Sequence, residues 1–282
     1  MMVEERTSDA SVMPASNEID SELASLLRVT RRLPRTKRVR EIPRRLWQRY
    51  IRMPRKALVA DVLDFRMHLN PMDYSDGSIL FAPQLYNAEE ICFLKERLKR
   101  GDIFLDVGAH IGFYSLCVSG IVGFEGIVLA IEADPDTVQR LRYNIELNRM
   151  TNIRCVHRGV SDRREVLRLG QDTLLNSGSN SFHSDKFMKG IDIQCMPLLQ
   201  ILEEQQITKV AGAKFDIEGF ECCVLSQFFK DAAPSLYPRF LVVELNWKYY
   251  PEQATSALEL LKGRGYRVHQ ALKSNYLLEL TQ

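Results

Sequence analysis

A chain of 282 residues, 45% hydrophobic and 26% charged, is long enough to bury a sizeable core. Its formal net charge of +2 hides an asymmetry: residues 1–27 carry six acids and one base, residues 28–56 thirteen bases and one acid. No window approaches the roughly 18 apolar residues of a membrane-spanning helix. The early acids argue against a transit peptide. The six cysteines include no C-x-x-C pair, which disfavours a zinc or disulfide framework. The expectation is a soluble cytoplasmic protein with six buried thiols in a reducing compartment.

Residues 1–27 are polar and largely without periodicity, so disorder is expected to about Glu22. The basic segment "RVTRRLPRTKRVREIPRRLWQRYIRMPRKA" follows. Within it Val39, Ile42, Leu46, Tyr50 and Met53 fall at helical spacing, and Pro43 suits a first turn. A helix from Pro43 to about Met53 is expected, packing that stripe on the body and presenting arginine elsewhere. Such a segment also suits peripheral contact with an anionic membrane surface or a lipid-linked substrate. Nucleic acid is the less favoured partner, since basic charge alone is non-specific. Residues 1–56 thus read as an extension, with an acidic tip and a basic helix, and residues 57–282 as one domain. Deletion of the extension is expected to leave ligand binding in that domain intact.

From Gly101 strands and helices alternate. Residues 103–109 form a strand, 111–121 a helix and 126–133 a second strand. "DPDTVQRLRYNIELNR" is a helix begun by Asp134 and Pro135. "NIRCVHRGV" is a third strand; "EVLRL" and "IDIQCM" are strand-like pieces around a polar loop. Helix "LLQILEEQQI", strand "VAGAKFDI", helix "FECCVLSQFFKDA", strand "RFLVVEL" and helix "PEQATSALELLKGRGY" follow, and "RVHQAL" with "YLLEL" closes as a hairpin. This alternation predicts an α/β, doubly wound, mostly parallel sheet covered on both faces, with an antiparallel strand from the hairpin.

In such a sheet ligands bind beyond the carboxyl ends of the strands. The first strand runs into "LDVGAHIG", where Asp106 precedes Gly108 and Gly112. The spacing is D-x-G-x-x-x-G. It lacks the G-x-G-x-x-G of a diphosphate cradle, which disfavours a nicotinamide oxidoreductase, and the lysine of a phosphate loop. The second strand ends in Glu132, placed to accept from ribose hydroxyls; the third ends in "VSD", where Ser161 and Asp162 can meet an adenine. One such acid alone is more often a surface carboxylate; three on successive strand ends point to a ligand. A ribose, an adenine and a compact polar end without diphosphate describe S-adenosylmethionine.

These stretches, "IFLDVGAHIGFYSL", "AIEADPDTVQRLRYNIELN", "RGVSD", "NSGSNS" and "KFDIEGFE", resemble in order the FkbM-like family of S-adenosylmethionine-dependent methyltransferases, from about Asp73 to Leu245. The resemblance implies a class I methyltransferase (Rossmann-like) fold, a seven-stranded sheet whose last strand is antiparallel, and O-methylation of a sugar or polyketide hydroxyl. It places Asp106, Gly108 and Gly112 at the methionine end of the cofactor, Glu132 at the ribose and Asp162 at the adenine. The chain departs from the family in His110, where asparagine is frequent, and in Tyr86–Asn87, where tyrosine–glutamate is. His110 is expected to contact cofactor or backbone.

Methyl transfer to oxygen needs a destination for the hydroxyl proton. Asp216, at the end of the fourth strand, is the first candidate; Lys214 shares its face, and Glu218 follows. His183, in the "NSGSNSFH" loop, is a further candidate at the acceptor. No His, Cys or carboxylate set has metal-ligand spacing, so no metal site is assigned, while a magnesium site built from scattered acids would leave no spacing signature and stays open. A small-molecule or glycan acceptor is the expected partner. N-methylation of a small amine or RNA, and a non-catalytic binding module, are the competing readings. The absence of an "NPPY"-like run disfavours methylation of a base amino group.

Overall fold

The computed structural model describes residues 19–34, 39, 41–170 and 190–281. Helices α1 (Ser21–Thr30) and α2 (Glu41–Tyr50) precede a hairpin of β1 (Leu58–Val62) and β2 (Phe65–Leu69), then α3 (Tyr74–Phe81) and α4 (Ala88–Arg97). The alternating part runs β3 (Ile103–Val107), α5 (Phe113–Val122), β4 (Ile127–Glu132), α6 (Pro135–Leu147) and β5 (Ile153–His157). After β6 (Gly159–Val160), β7 (Glu165–Gly170) and β8 (Gly190–Met196) it resumes as α7 (Leu198–Glu204), β9 (Gly212–Phe215), α8 (Glu221–Asp231), β10 (Phe240–Glu244) and α9 (Pro251–Gly263). The hairpin β11 (Tyr266–Ala271) and β12 (Asn275–Leu280) follows.

Seven strands form the main sheet in the order β11-β12-β10-β9-β3-β4-β5, parallel except for β12. This is the doubly wound sheet expected from the alternation. The chain winds outward from β3 in both directions, so the switch point lies between β3 and β9. Along β3 and β4, Phe104, Val128 and Ala130 join one core layer, while Leu105, Val107, Leu129 and Ile131 join the other. Burial on both faces is why these strands read as unbroken apolar runs.

The third predicted strand divides. Its first half is β5; after Arg158 N donates to Glu132 O the chain leaves the sheet, and Gly159–Val160 pairs with β8 in a separate three-stranded sheet of order β6-β8-β7.

Of the extension, residues 1–18, where most of the expected disorder falls, lie outside the described residues. Helix α1 begins at Ser21, where the Asp20 carboxylate accepts from Leu23 N at 2.7 Å, a capping bond that satisfies a free helix amide. In α2 the buried stripe is Pro43, Trp47 and Tyr50; of the predicted stripe Tyr50 is buried and Leu46 packs half-buried on the core, while Ile42 and Met53 are 40% and 65% exposed. The indole decides the helix orientation: Trp47 is buried and its Nε1 donates to Pro71 O at 2.7 Å. Leu23, Leu27, Trp47 and Tyr50 share one core with Phe81, Leu94 and Phe113, so the extension packs into the same hydrophobic interior as the rest of the chain. Of the six cysteines, Cys195 is buried, Cys92 is exposed and the others are half-buried, which corrects the expectation of six buried thiols. Among the described residues no helix is long and apolar enough to cross a membrane.

One corner places the site's outer wall. The Asp73 side chain caps α3, accepting from Ser75 N and Asp76 N. Buried Asp76 accepts from Asn70 N at 2.7 Å and pairs with Arg140 of α6. This pairing fixes α3 to the sheet layer and sets Tyr74 beside the cavity described next.

Candidate active site

A cavity of about 290 Å³ opens at the carboxyl ends of β3, β4, β9 and β10, near the switch point. Its described walls include Gly108, His110, Glu132, Asp216 and Glu218 of the predicted set, with Tyr86, Tyr114, Lys214 and Glu244. Asp106, Gly112, Ser161 and Asp162 are not among its lining residues, and His183 lies outside the described residues.

Gly108 is where the backbone must be glycine. Its φ is +79°, and a Cβ there would stand 1.9 Å from Asp216 O. β3 and the turn after β9 therefore touch backbone to backbone, leaving their strand ends open to a ligand. His110, also left-handed at φ 49°, turns its own N–H to Glu132 Oε2 at 2.8 Å. Glu132 Oε1 accepts from Ala133 N and Asp134 N at 2.9 and 3.0 Å. Three of about four acceptor positions on this carboxylate are thus filled by backbone amides. It is fixed in direction, and Oε2 can accept one further strong hydrogen bond. Burial raises its pKa, against those same amides. Gly112, φ 93°, starts α5, and a Cβ there would reach 2.6 Å from Leu141.

Asp106 lies fully buried behind the wall. Its Oδ2 accepts from Ser115 Oγ at 2.6 Å, while Oδ1 has no hydrogen-bond partner and lies 3.7 Å from Lys214 Nζ. Burial raises its pKa, with Lys214 opposing. Ser161 is buried and donates to Glu165 Oε1 at 2.5 Å; Asp162 pairs with Arg163. At that end the lining is Ile131, Ala133, Arg158, Val160 and Leu169, a largely apolar slot suited to a flat heterocycle.

The acceptor side is built from acids. Lys214 Nζ lies 3.2 Å from Asp216 Oδ2 and donates to Gly108 O at 3.0 Å. Burial opposes ionisation of Asp216, but the Lys214 ammonium and a hydrogen bond from Glu244 hold its pKa below the ordinary value. Glu244 is pushed up to about 10, first by the charge of Asp216 and then by burial, so it keeps its proton. Glu218, at a left-handed φ of 52°, is raised to about 8 by burial and then by Asp216. Glu221 holds this turn, accepting from Ile217 N at 2.7 Å and Gly219 N at 3.0 Å. Burial, with the Arg140 guanidinium, pushes His110 down to about 4, leaving a neutral imidazole at the wall.

Asp216, Glu218 and Glu244 bring carboxylate oxygens within 4.8 Å of one another, the one group among the described residues with metal-holding geometry. Spacing in the sequence did not show it, because the three come from two strand ends. Glu244 was missed for the same reason. The signal available was its place at the carboxyl end of "RFLVVE", beside the strand that bears Asp216.

The residues fit a nucleoside-bearing cofactor of the predicted kind: a side-chain-free approach at Gly108, a fixed carboxylate at Glu132, an apolar slot and, among the described residues, no set of cations for a diphosphate. Strand order and site together define a class I methyltransferase domain dependent on S-adenosylmethionine. The family model described as "Methyltransferase FkbM domain" matches residues 106–268, more than half of the chain, and the chain belongs to that family. A model for protein-L-isoaspartate(D-aspartate) O-methyltransferase matches residues 37–163. A curated Sulfolobus acidocaldarius protein named "Probable cobalt-precorrin-6B C(15)-methyltransferase (decarboxylating)" is 38% identical over 80 residues, 28% of this chain and 40% of that protein. The chain thus spans well under half of that relative's length.

Solved structures with similar folds include a precorrin-6y C5,15-methyltransferase from Geobacter metallireducens, with 14% identity, 68% of this chain and 87% of that one covered, and a TM-score of 0.42. Another is Aeropyrum pernix fibrillarin with bound S-adenosyl-L-methionine, with 14% identity, 68% and 73% covered, and a TM-score of 0.39. The strand order and the family match, not these likenesses, carry the fold assignment.

Proposed function

We propose that this chain methylates a hydroxyl oxygen of a small-molecule or glycan acceptor. S-adenosylmethionine, when bound, supplies a methyl group on a sulfonium sulfur. Gly108, His110 and Glu132 are assigned to holding it and Asp216 to the acceptor. Asp216 takes the hydroxyl proton as the oxygen–carbon bond forms and the sulfur–carbon bond breaks; Glu244 steadies the carboxylate and Lys214 keeps it ionised. The observation that carries this reading is an anionic carboxylate at the cavity wall, held so by a buried lysine 3.2 Å away. General bases contribute typically about 10²–10⁴-fold, most where the pKa lies near the working pH, so a carboxylate held this low belongs toward the lower end of that range.

A second cavity of about 740 Å³ shares Tyr74, Tyr86 and Asn87 with the first, and α2, α3, α4 and residues 270–275 wall it. It offers room for a larger acceptor beside the methyl-transfer site. A mass-spectrometric screen of polyhydroxylated and polyketide acceptors for gain of one CH₂ tests the proposal. With the acceptor found, Asp216→Asn is expected to lower turnover by about 10²-fold or more, while calorimetry shows binding of S-adenosylhomocysteine retained. Undiminished turnover in that variant removes Asp216 as the base.

A further inference from the structure

The extension leaves one face of the molecule chemically distinct. Helix α2 buries Pro43, Trp47 and Tyr50, so the opposite stripe points outward, and Arg45, Arg49 and Arg52 lie along it at spacings of four and three. All three are exposed, as are Arg28 and Arg32 at the end of α1 and Lys56 beyond α2. Among the described residues none of these six has a carboxylate within ion-pairing distance; of the acids at positions 19–56, Asp20, Glu22 and Glu41 pair instead with Arg55 and Arg44. Large aliphatic side chains stand beside them in the open: Val29 at 55%, Ile42 at 40% and Met53 at 65% exposure.

We propose that this face docks on an anionic lipid surface. Unpaired arginines supply attraction to negatively charged headgroups, and exposed aliphatic side chains can enter the headgroup boundary, the combination that distinguishes an interfacial segment from a merely solvated basic helix. A single-stranded nucleic acid would instead want aromatic rings for base stacking, and the two aromatics of α2, Trp47 and Tyr50, are buried. The same helix walls the outer cavity through Glu41, Pro43, Arg44 and Trp47. Pro43 and Trp47 face away from the arginine stripe, so the cavity lies across α2 from the docking face. The inference does not depend on the proposed acceptor, because it is read without turnover.

The test is co-sedimentation of the full chain at low salt with vesicles of phosphatidylcholine alone and of equal parts phosphatidylcholine and phosphatidylglycerol. Binding is expected to the mixed vesicles and not to the neutral ones. The variant R45E/R49E/R52E is expected to lower the partition coefficient by at least about tenfold, with its circular-dichroism melt unchanged. Ile42→Ser with Met53→Ser is expected to lower it several-fold. The variant R168E/K209E/K262E makes the same change of net charge at exposed positions elsewhere and is expected to bind as the parent does. The proposal is overturned if the parent ignores the mixed vesicles, if the two triple reversals lose binding equally, or if a homopolymeric RNA binds more tightly than the vesicles at the same salt.

Discussion

Lys214 and Asp216 leave β9 on the same side, two residues apart, and meet at 3.2 Å with the lysine only 5% exposed. The same ammonium stands 3.7 Å from Asp106 and donates to Gly108 O, so one buried cation ties the end of β9 to the end of β3 at the switch point. A buried charge whose partner is removed is costly, because neither water nor a counter-charge replaces it. Lys214→Met is therefore expected to destabilise the fold by about 3–5 kcal/mol at neutral pH. Urea unfolding measures it, and a variant as stable as the parent would show that the carboxylates need no cation.

Gly108 can be tested against a built-in control. Gly101 and Gly108 have nearly equal φ, +81° and +79°, yet a Cβ at Gly101 meets nothing within 4 Å and one at Gly108 meets Asp216 O at 1.9 Å. Gly101→Ala is expected to cost about 1 kcal/mol of backbone strain alone. Gly108→Ala adds a displaced backbone and is expected to cost at least about 2 kcal/mol. Only Gly108→Ala is expected to weaken S-adenosylhomocysteine binding, by about tenfold or more. Equal effects of the two on thermal stability and calorimetric affinity would contradict a close approach that shapes the site.

The parallel sheet was legible because its strands are buried on both faces, and burial writes itself as apolar runs such as "IFLDV" and "IVLAIE". Acids at the carboxyl ends of such runs could be picked out singly, as Asp106, Glu132 and Asp216 were, though Glu244 at the end of "RFLVVE" was passed over. What failed was geometry that depends on distant packing. Asp162 sits beyond a strand that leaves the sheet after Arg158, and no local pattern marks that departure. The α2 stripe was legible in part: Tyr50 belongs to it and Leu46 packs half-buried on the core, while Ile42 and Met53 share their helical period and stand exposed where Pro43 and Trp47 are buried. The indole's bond to Pro71 O decided between them from 24 residues away. Glu244 joins Asp216 only through the neighbouring register of β9 and β10, a relation between strands that spacing along one chain does not express.

The acid cluster predicts a pH dependence of unusual sign. Glu218 is raised from 4.5 to about 8 in the folded chain, so between those values the native state holds a proton that the unfolded chain has released. Stability from this group is then fully present below pH 4.5 and lost as pH rises through about 8, the reverse of an ion-paired carboxylate. Glu218→Gln keeps a neutral side chain of the same shape at every pH. The variant is expected to match the parent near the low end of that window and to exceed it above pH 8 by about 1–2 kcal/mol after allowance for solvent screening. Urea unfolding at the two ends of the window measures the difference. Asp216→Asn removes the charge that raises Glu218 and is expected to shrink that gain, since the two carboxylates are in one cluster. A gain independent of pH would instead assign the effect to the left-handed turn at φ 52° and not to the proton.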